Sequence, residues 1–207
     1  MANKVKKIIY ITQAKAQLLE AGTSVVVNGV SITPADIDKY DFRIRYEEKW
    51  VPGAGTGSLM TKDNTGGSAA GDHAIAEGLG TMAASDYSHA EGWATRTIVD
   101  DADTDTHGHA SHAEGSHTIA KGACSHAEGN TTESMGMYSH AEGSGSISGG
   151  RSSHAEGDGT IAENVAEHAE GSYNKSHSVA SGDSANTLHS IGIGTSMTDR
   201  KNAEETM

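Results

Sequence analysis

The sequence has few of the residues that build an ordinary hydrophobic core. Of its 207 residues, 28 are Val, Ile, Leu or Phe, and 14 of these lie within residues 1–50. Because so little apolar area is left for residues 51–207, a conventional core that spans the whole chain is excluded. No apolar run approaches the roughly 20 residues that a membrane-spanning helix needs, so such a span is excluded as well.

Cysteine is also nearly absent. The chain contains one, Cys124. A single cysteine excludes an intrachain disulfide framework and a zinc site built from several thiolates. We expect Cys124 to fill a repeat position as a small residue rather than to act as a reactive thiol.

Basic residues are scarce in the second half of the chain. Residues 68–190 contain 4 Lys or Arg against 18 Asp or Glu and hold all 12 histidines, whereas residues 1–50 contain 8 basic and 6 acidic residues. An acidic segment of this kind repels nucleic acid and anionic membrane surfaces. We therefore expect neither nucleic acid nor a membrane among the partners.

The second half instead contains a 14-residue repeat. Its central pentapeptide, Ser-His-Ala-Glu-Gly, occurs at residues 88–92, 111–115, 125–129, 139–143 and 153–157, with Glu-His-Ala-Glu-Gly at 167–171. Successive histidines are 23, 14, 14, 14 and 14 residues apart, and the longer gap equals one repeat plus a nine-residue insertion near residues 102–110. A related unit with Ile75 in the histidine position precedes the series, and a degraded unit near residues 181–194 follows it.

The period and the fixed glycine predict a parallel β-solenoid. Fourteen residues accommodate two short strands and two tight turns, with glycine where the turns need positive φ. Within each unit, His and Glu are two residues apart and share one face, while Ser, Ala and Gly face the other. We expect Ala, Thr and Ile inside. Low apolar content with high net charge usually signals disorder, but a disordered segment would not keep these residues in phase.

The Ser-His-Ala-Glu-Gly units and the Ile75 variant resemble the 14-residue repeats in the heads of trimeric autotransporter adhesins. The His/Ala/Glu version resembles repeats of phage head-fibre and tail-fibre proteins. The resemblance covers about residues 71–194 and implies a mainly β fold, a left-handed parallel β-roll in a homotrimer. A signal peptide and a membrane anchor of the adhesin kind are not recognised in the sequence, which favours a virion, assembled in the host cytoplasm, over a cell surface.

The pattern along the chain predicts four segments. Residues 1–50 are expected to form a small α+β docking module, 51–71 a flexible glycine-rich linker, 72–194 the roll, and 195–207 a C-terminal tail that begins a helix. Because about 46 ordered residues are marginally stable alone, we expect the module to trimerise or to bind a larger partner. The partner suggested by the resemblance is the major capsid protein or another virion protein.

One His and one Glu of each unit form a row that we call the His/Glu ladder and predict at the trimer interface. Its members are His89, Glu91, His112, Glu114, His126, Glu128, His140, Glu142, His154, Glu156, His168 and Glu170. We expect each His to pair with the Glu two residues later, because buried polar groups need partners. Six equivalent copies give no privileged environment for catalysis. Imidazole and carboxylate are good metal ligands, so a metal ladder is the alternative. Regular rung spacing does not by itself create a metal geometry, and no metal or cofactor is predicted.

Other motifs are weaker. Asp101, Asp103 and Asp105 alternate as in a calcium loop, but Thr106 stands where that loop needs Gly, so we expect an acidic surface loop. Residues 53–58 lack a dinucleotide fingerprint and a P-loop Lys, which indicates linker. Trp93 follows a repeat glycine and is expected to be a turn residue, with carbohydrate stacking as the alternative.

Together these features predict a structural protein and not an enzyme. We expect a trimeric fibre that decorates a phage capsid. The first alternative is a tail fibre or adhesin-type protein in which exposed rungs or the loop at residues 102–110 recognise a host glycan. A processed precursor or an enzyme-substrate domain is the second alternative.

Overall fold

A computed structural model describes residues 7–11, 13–27, 29–44, 49–98, 108–176 and 187–206. The chain divides into two compact units, Met1–Glu48 and Lys49–Met207. We call them the N-terminal unit and the repeat unit. Within the described residues, no helix is both long enough and apolar enough to cross a membrane.

The N-terminal unit combines short strands and helices around a small apolar core. Its elements are β1 (Lys7–Ile11), α1 (Gln13–Glu20), β2 (Val25–Val27), β3 (Val30–Ile32), a 3-10 helix (Pro34–Lys39) and β4 (Tyr40–Ile44). Strand β1 pairs in parallel with β4, and β2 pairs antiparallel with β3. The buried side chains are Ile11, Leu19, Val25, Val27 and Ile32.

A capping interaction starts the 3-10 helix. The backbone N–H and the hydroxyl of Thr33 both donate to Asp36 Oδ2, at 2.9 and 2.7 Å. These bonds fix the turn in which Pro34, at the first helical position, needs no N–H partner.

The repeat unit consists of short strands, most of them in two alternating lengths. They are β5 (Trp50–Pro52), β6 (Leu59–Thr61), β7 (Ser68–Ala69), β8 (Ile75–Leu79), β9 (Met82–Ala83), β10 (His89–Trp93), β11 (Arg96–Thr97), β12 (His112–Ser116), β13 (Ile119–Ala120), β14 (His126–Asn130), β15 (Glu133–Ser134), β16 (His140–Ser144), β17 (Ile147–Ser148), β18 (His154–Asp158), β19 (Ile161–Ala162), β20 (His168–Ser172), β21 (His189–Ile193) and β22 (Asn202–Thr206).

These strands form two sheets that run along a β-solenoid. The larger sheet has 11 strands in the order β22-β21-β20-β18-β16-β14-β12-β10-β8-β6-β5, and the smaller has seven in the order β19-β17-β15-β13-β11-β9-β7. Seven rungs, meaning turns of the solenoid, contribute one strand to each sheet, from the pair β6 and β7 to the pair β18 and β19. The other four strands, β5, β20, β21 and β22, belong to the larger sheet alone. The predicted mainly β fold with rungs of about 14 residues is confirmed.

Equivalent residues of successive rungs lie directly above one another. His112 pairs with His126 and Ala113 with Ala127. The register also survives the insertion, because His89 pairs with His112 although they are 23 residues apart in sequence. The degraded unit predicted near residues 181–194 is present as β21, in which His189 pairs with His168.

The interior of the repeat unit contains mostly small side chains, and Glu167 and Asn174 are its largest fully buried ones. The alanine of each pentapeptide is fully buried, as are Thr118 and Ser148. The expectation that Ile also lies inside is wrong, because Ile119, Ile147 and Ile161 are half-buried on the outer face. In a two-residue strand only one side chain points inward, and Ala120, Ser148 and Ala162 take that place.

The fixed glycine of each unit is required by a close backbone approach within the strand. Gly143 has φ +98, and a Cβ there would lie 2.2 Å from the carbonyl oxygen of Gly157 in the next rung. The positive-φ position of the tight turns, in contrast, does not require glycine, which corrects the prediction, although Gly122, Gly136 and Gly150 in these turns also approach the next rung closely. Cys124, Tyr138 and Ser152 occupy equivalent turn positions with φ of 53, 59 and 58.

The serine of the pentapeptide stabilises the adjoining turn. Ser139 is buried, and its hydroxyl donates to the carbonyl oxygen of Gly136 at 2.6 Å. Ser153 donates to Gly150 at the same distance. Cys124, whose side chain is exposed, lies in one of these turns.

Residues 51–71 belong to the repeat unit rather than forming a linker. They include β6 and β7, and Ala69 is fully buried. The hydroxyl of Ser58 donates to the carbonyl oxygens of Gly55 and Ala69, so the glycine-rich stretch is a hydrogen-bonded turn. The sequence lacks the pentapeptide here, yet the backbone pairing of β6 with β8 is that of a rung.

The C-terminal segment ends the larger sheet. The helix expected in residues 198–207 is wrong, since β22 pairs antiparallel with β21. An edge strand presents unpaired backbone groups, and a reversed strand satisfies them. At the end of the smaller sheet, the side-chain amide of Asn174 satisfies the backbone of Ile161. Its Oδ1 accepts from the Ile161 N–H, and its Nδ2 donates to the Ile161 carbonyl oxygen.

Candidate functional site

The strands of the larger sheet align the histidines of the ladder in one stack. Rings of neighbouring rungs are nearly parallel, with centroids 4.8 Å apart from His89 through His154. The stack continues to His168 at 5.0 Å and to His189 at 5.3 Å with a tilt of 32°. These rings are half-buried on the outer face of the sheet, opposite the buried alanines.

Each histidine lies against the glutamate of the preceding rung. The Nε2···Oε1 distances are 3.9 Å for His89–Glu77, 3.6 Å for His112–Glu91, 3.3 Å for His126–Glu114, 3.3 Å for His140–Glu128, 3.5 Å for His154–Glu142, 3.4 Å for His168–Glu156 and 3.4 Å for His189–Glu170. The expected pairing with the glutamate two residues later is therefore wrong. A glutamate side chain is long enough to reach across the rung spacing of about 4.8 Å.

Most of these His–Glu pairs are longer than good hydrogen bonds. N–H···O bonds in proteins usually span about 2.7–3.2 Å between heavy atoms. The Nε2 atoms of His89, His112, His126 and His154 are shielded from solvent and have no hydrogen-bond partner among the described residues. The ladder thus leaves several imidazole nitrogens unsatisfied.

The electrostatics of the ladder favour a neutral imidazole at His112 and an ionised carboxylate at Glu128. Burial lowers the pKa of His112, and the neighbouring charges of His89 and His126 lower it further. For Glu128, burial raises the pKa, but hydrogen bonds with the Glu142 and Glu114 carboxyl groups and the adjacent histidines outweigh it. The net result is a lowered pKa at Glu128.

Five groups in the ladder have the residue types of a metal site. They are His89/Glu91/His112, His112/Glu114/His126, His126/Glu128/His140, Glu142/His154/Glu156 and Glu156/His168/Glu170. Within each group, the potential ligand atoms all lie within 4.8 Å of one another. The first three offer two imidazoles and one carboxylate, and the last two offer one imidazole and two carboxylates.

Two ladder members were missed by sequence reasoning. Glu77 faces His89, and His189 faces Glu170, so the ladder extends one residue beyond each predicted end. A signal for His189 exists, because the stretch from 189 to 192 keeps His and Gly at the same offset as the pentapeptide. The irregular 21-residue distance from His168 hid it.

A buried carboxyl group at residue 167 is a second feature that sequence reasoning missed. Glu167 replaces the pentapeptide serine and is 1% exposed. Its Oε2 accepts hydrogen bonds from the Glu163 and Asn164 backbone and from the Ser176 hydroxyl, each at 2.9 Å. Burial raises the pKa of Glu167 against the opposing effect of these bonds. The cluster joins neighbouring turns near the C-terminal end of the roll.

The remaining sequence candidates are the three alternating aspartates and Trp93. Asp101, Asp103 and Asp105 lie outside the described residues. Trp93 is 55% exposed, and its ring meets His117 edge-on with centroids 4.5 Å apart. Leu79, 51% exposed, is its neighbour on the adjacent rung.

An open cleft lies on the repeat unit beside this apolar pair. It has a volume of about 640 Å³. The residues that line it are Lys49, Thr61, Asp63, Glu77, Gly78, Leu79, Glu91 and Gly92. Glu77 and Glu91 therefore belong to both the cleft and the ladder.

No protein-family model matches the chain, and no curated protein or solved structure matches it either.

Proposed function

We propose that the protein is a structural fibre protein of a phage virion, in which three repeat units associate and project from the capsid. The observation that carries this proposal is the His/Glu ladder. It is a continuous half-buried row of polar side chains on one face of the roll, with imidazole nitrogens that lack partners within the described part of the chain. Such a face suits contact with other copies of the same chain.

The composition of the roll also supports association. The apolar side chains in its interior are nearly all alanines, so a single roll buries little apolar area for its length. Larger apolar side chains, including Ile119, Ile147 and Ile161, lie half-buried on the outer face. Association of three chains would bury this surface and supply the stability that the thin interior lacks.

The repeated architecture supports a role as a spacer. Nine parallel strands stack in the larger sheet, and eight spacings of about 4.8 Å give a rod of roughly 40 Å. The six pentapeptide rungs present the same ladder residues, which suits an extended structural element better than an enzyme with one privileged site.

The N-terminal unit suits attachment. It has a hydrophobic core of its own, centred on Leu19 and Ile32. Residues 1–50 are nearly balanced in charge, whereas residues 68–190 carry 18 acidic against 4 basic residues. A neutral compact unit is the better candidate for binding the major capsid protein or another virion protein, while the acidic roll suits solvent.

A receptor-binding role is the second candidate, and the exposed apolar pair Trp93 and Leu79 favours it. Aromatic faces beside carboxylates are a common surface for carbohydrate, and Glu77 and Glu91 line the adjoining cleft. In this alternative the roll would present that patch to a glycan on the host surface.

Immunogold electron microscopy of particles from the phage that encodes the chain tests the proposal. An antibody against the repeat unit should label the heads, and particles without the gene provide the control. Label confined to the tail tip, together with glycan binding that a Trp93→Ala variant loses, would establish the second candidate. Unlabelled particles would contradict both. When the chain lacks residues 1–48, the repeat unit should still fold, but the antibody should no longer label the heads.

A further inference from the structure

We propose that the His/Glu ladder contains a binding site for a divalent transition-metal ion, with Zn²⁺ as the best-fitting ion, formed by His154, Glu142 and Glu156. The three residues come from two adjacent rungs of a single chain. The proposal is therefore independent of the fibre function and of the number of chains that associate.

The distance between the first two ligands supports a metal rather than a direct hydrogen bond. His154 Nε2 lies 3.5 Å from Glu142 Oε1. Zinc binds imidazole nitrogen at about 2.0–2.1 Å and carboxylate oxygen at about 2.0–2.2 Å. In a tetrahedron such bonds place the two ligand atoms about 3.3–3.5 Å apart. The observed separation is thus too long for a strong N–H···O bond and matches one edge of a zinc tetrahedron.

The imidazole nitrogen at this site needs a partner. His154 Nε2 is shielded from solvent and has no hydrogen-bond partner among the described residues. An unsatisfied polar atom of this kind is costly, and a metal ion would satisfy it. Metal binding requires a neutral imidazole with a free lone pair on the ligating nitrogen.

The donor set distinguishes this group from the others in the ladder. Histidine rings stack with centroids 4.8 Å apart, whereas two Zn–N bonds end to end span only about 4.2 Å. A group with two imidazole ligands could therefore bind zinc only if its two stacked rings moved closer together. Glu142, His154 and Glu156 offer one nitrogen and two carboxylate oxygens within 4.8 Å of one another. The two glutamates are also one rung apart, but each flexible side chain has two oxygens and can approach a shared ion more easily than two stacked rings can. Three protein ligands and one water complete a tetrahedral site.

A second group of the same type shares a ligand with it. Glu156 also belongs to the group with His168 and Glu170, and its Oε1 lies 3.4 Å from His168 Nε2. Two dications at neighbouring rungs would repel each other, and one carboxylate would have to serve both. We therefore expect one tightly held ion per chain in this part of the ladder.

The test uses the full chain without an affinity tag, in a Cys124→Ser background that removes the exposed thiol. The protein is stripped with a chelator and titrated with Zn²⁺ by calorimetry, and Co²⁺ is added separately to record its visible absorption. We expect about one tight ion per chain and the intense Co²⁺ bands of a tetrahedral site. His154→Gln should weaken Zn²⁺ binding at least tenfold, and the isosteric double variant Glu142→Gln/Glu156→Gln should do the same.

The matched control is His117→Asn, which removes a histidine outside the ladder. The backbone of His117 has φ 58, a conformation that Asn tolerates. This variant should bind Zn²⁺ like the parent. Circular dichroism identifies variants that fail to fold. If His154→Gln does not fold, the double glutamine variant, which keeps the side-chain shapes, shows whether the ladder binds Zn²⁺. Absence of Zn²⁺ binding to the parent, binding that both ladder variants retain, or a purely octahedral Co²⁺ spectrum would overturn the proposal.

Discussion

The Nε2 atom of His140 lies 3.3 Å from Oε1 of Glu128, a residue of the preceding rung. The glutamate of its own strand, Glu142, faces His154 of the next rung instead. Every link in the ladder therefore connects two rungs. A substitution at one ladder position disturbs the contact between rungs and not only the strand that carries it.

Replacing His140 with Ala should destabilise the roll through Glu128. The change removes a hydrogen bond of 3.3 Å and leaves the Glu128 carboxylate with His126 as its remaining imidazole neighbour. Because both side chains are about one-third exposed, solvent compensates part of the loss. We expect a cost of about 1 kcal/mol, measured as a lower thermal midpoint.

Removal of both partners should cost less than removal of one. The double variant His140→Val/Glu128→Ile replaces the pair with apolar side chains that suit a half-buried β surface. His117→Asn, outside the ladder, serves as the control. Equal melting of the parent and the His140→Ala variant would show that the ladder contributes nothing to stability.

Two glycines six residues apart should respond very differently to alanine. Gly143 has φ +98, and a Cβ added to it would lie 2.2 Å from the Gly157 carbonyl oxygen, whereas a Cβ added to Gly149 would meet nothing closer than 3.9 Å. Gly143→Ala should cost on the order of 3 kcal/mol or more, because it adds both a backbone clash and an unfavourable φ. Gly149→Ala should change stability by less than about 1 kcal/mol.

Denaturant unfolding of these two variants beside the parent measures the difference. Similar losses for both would mean that the rungs do not approach each other at the pentapeptide glycine.

Acid should weaken the roll through His112. Burial, with the charges of His89 and His126, lowers the pKa of His112 below 6.5. The unfolded chain then takes up the proton more readily than the folded chain, so this contribution to stability is present above pH 6.5 and is lost as the pH falls. The lowered pKa of Glu128 acts in the same direction at lower pH.

Thermal melting between about pH 7.5 and pH 5.5, with a chelator present, tests this coupling. The midpoint of the parent should fall as the pH falls, and His112→Gln should reduce that slope. His117→Asn should keep the slope of the parent. An unchanged slope in the His112 variant would locate the acid sensitivity elsewhere.

The sequence predicted the part of the fold that depends on period and alternation. Six pentapeptides in phase were enough to infer rungs of about 14 residues and to place Ala113 and its equivalents inside, because a strand alternates its faces. Residues 51–71 escaped the prediction because Leu59 and Met60 replace His and Ala, and a strand defined by backbone pairing needs no motif. Strand β22 was missed for the same reason, since it too pairs through its backbone and contains no pentapeptide.

The sequence identified most residues of the ladder but not which glutamate each histidine faces. Spacing along one strand shows that His140 and Glu142 share a face, but it does not show which neighbour the side chains reach across the rungs. That choice depends on the stacking of the rings and on the reach of each glutamate, which only the three-dimensional arrangement gives. The tight approach at Gly143 is likewise a relation between rungs and is invisible in any single unit.

The association of three chains is the central claim, and light scattering of the full-length protein tests it most directly. The measurement is made at micromolar concentration after size-exclusion chromatography. We predict a single species of three times the chain mass of 21.4 kDa. A folded monomer of 21.4 kDa under these conditions would contradict the account.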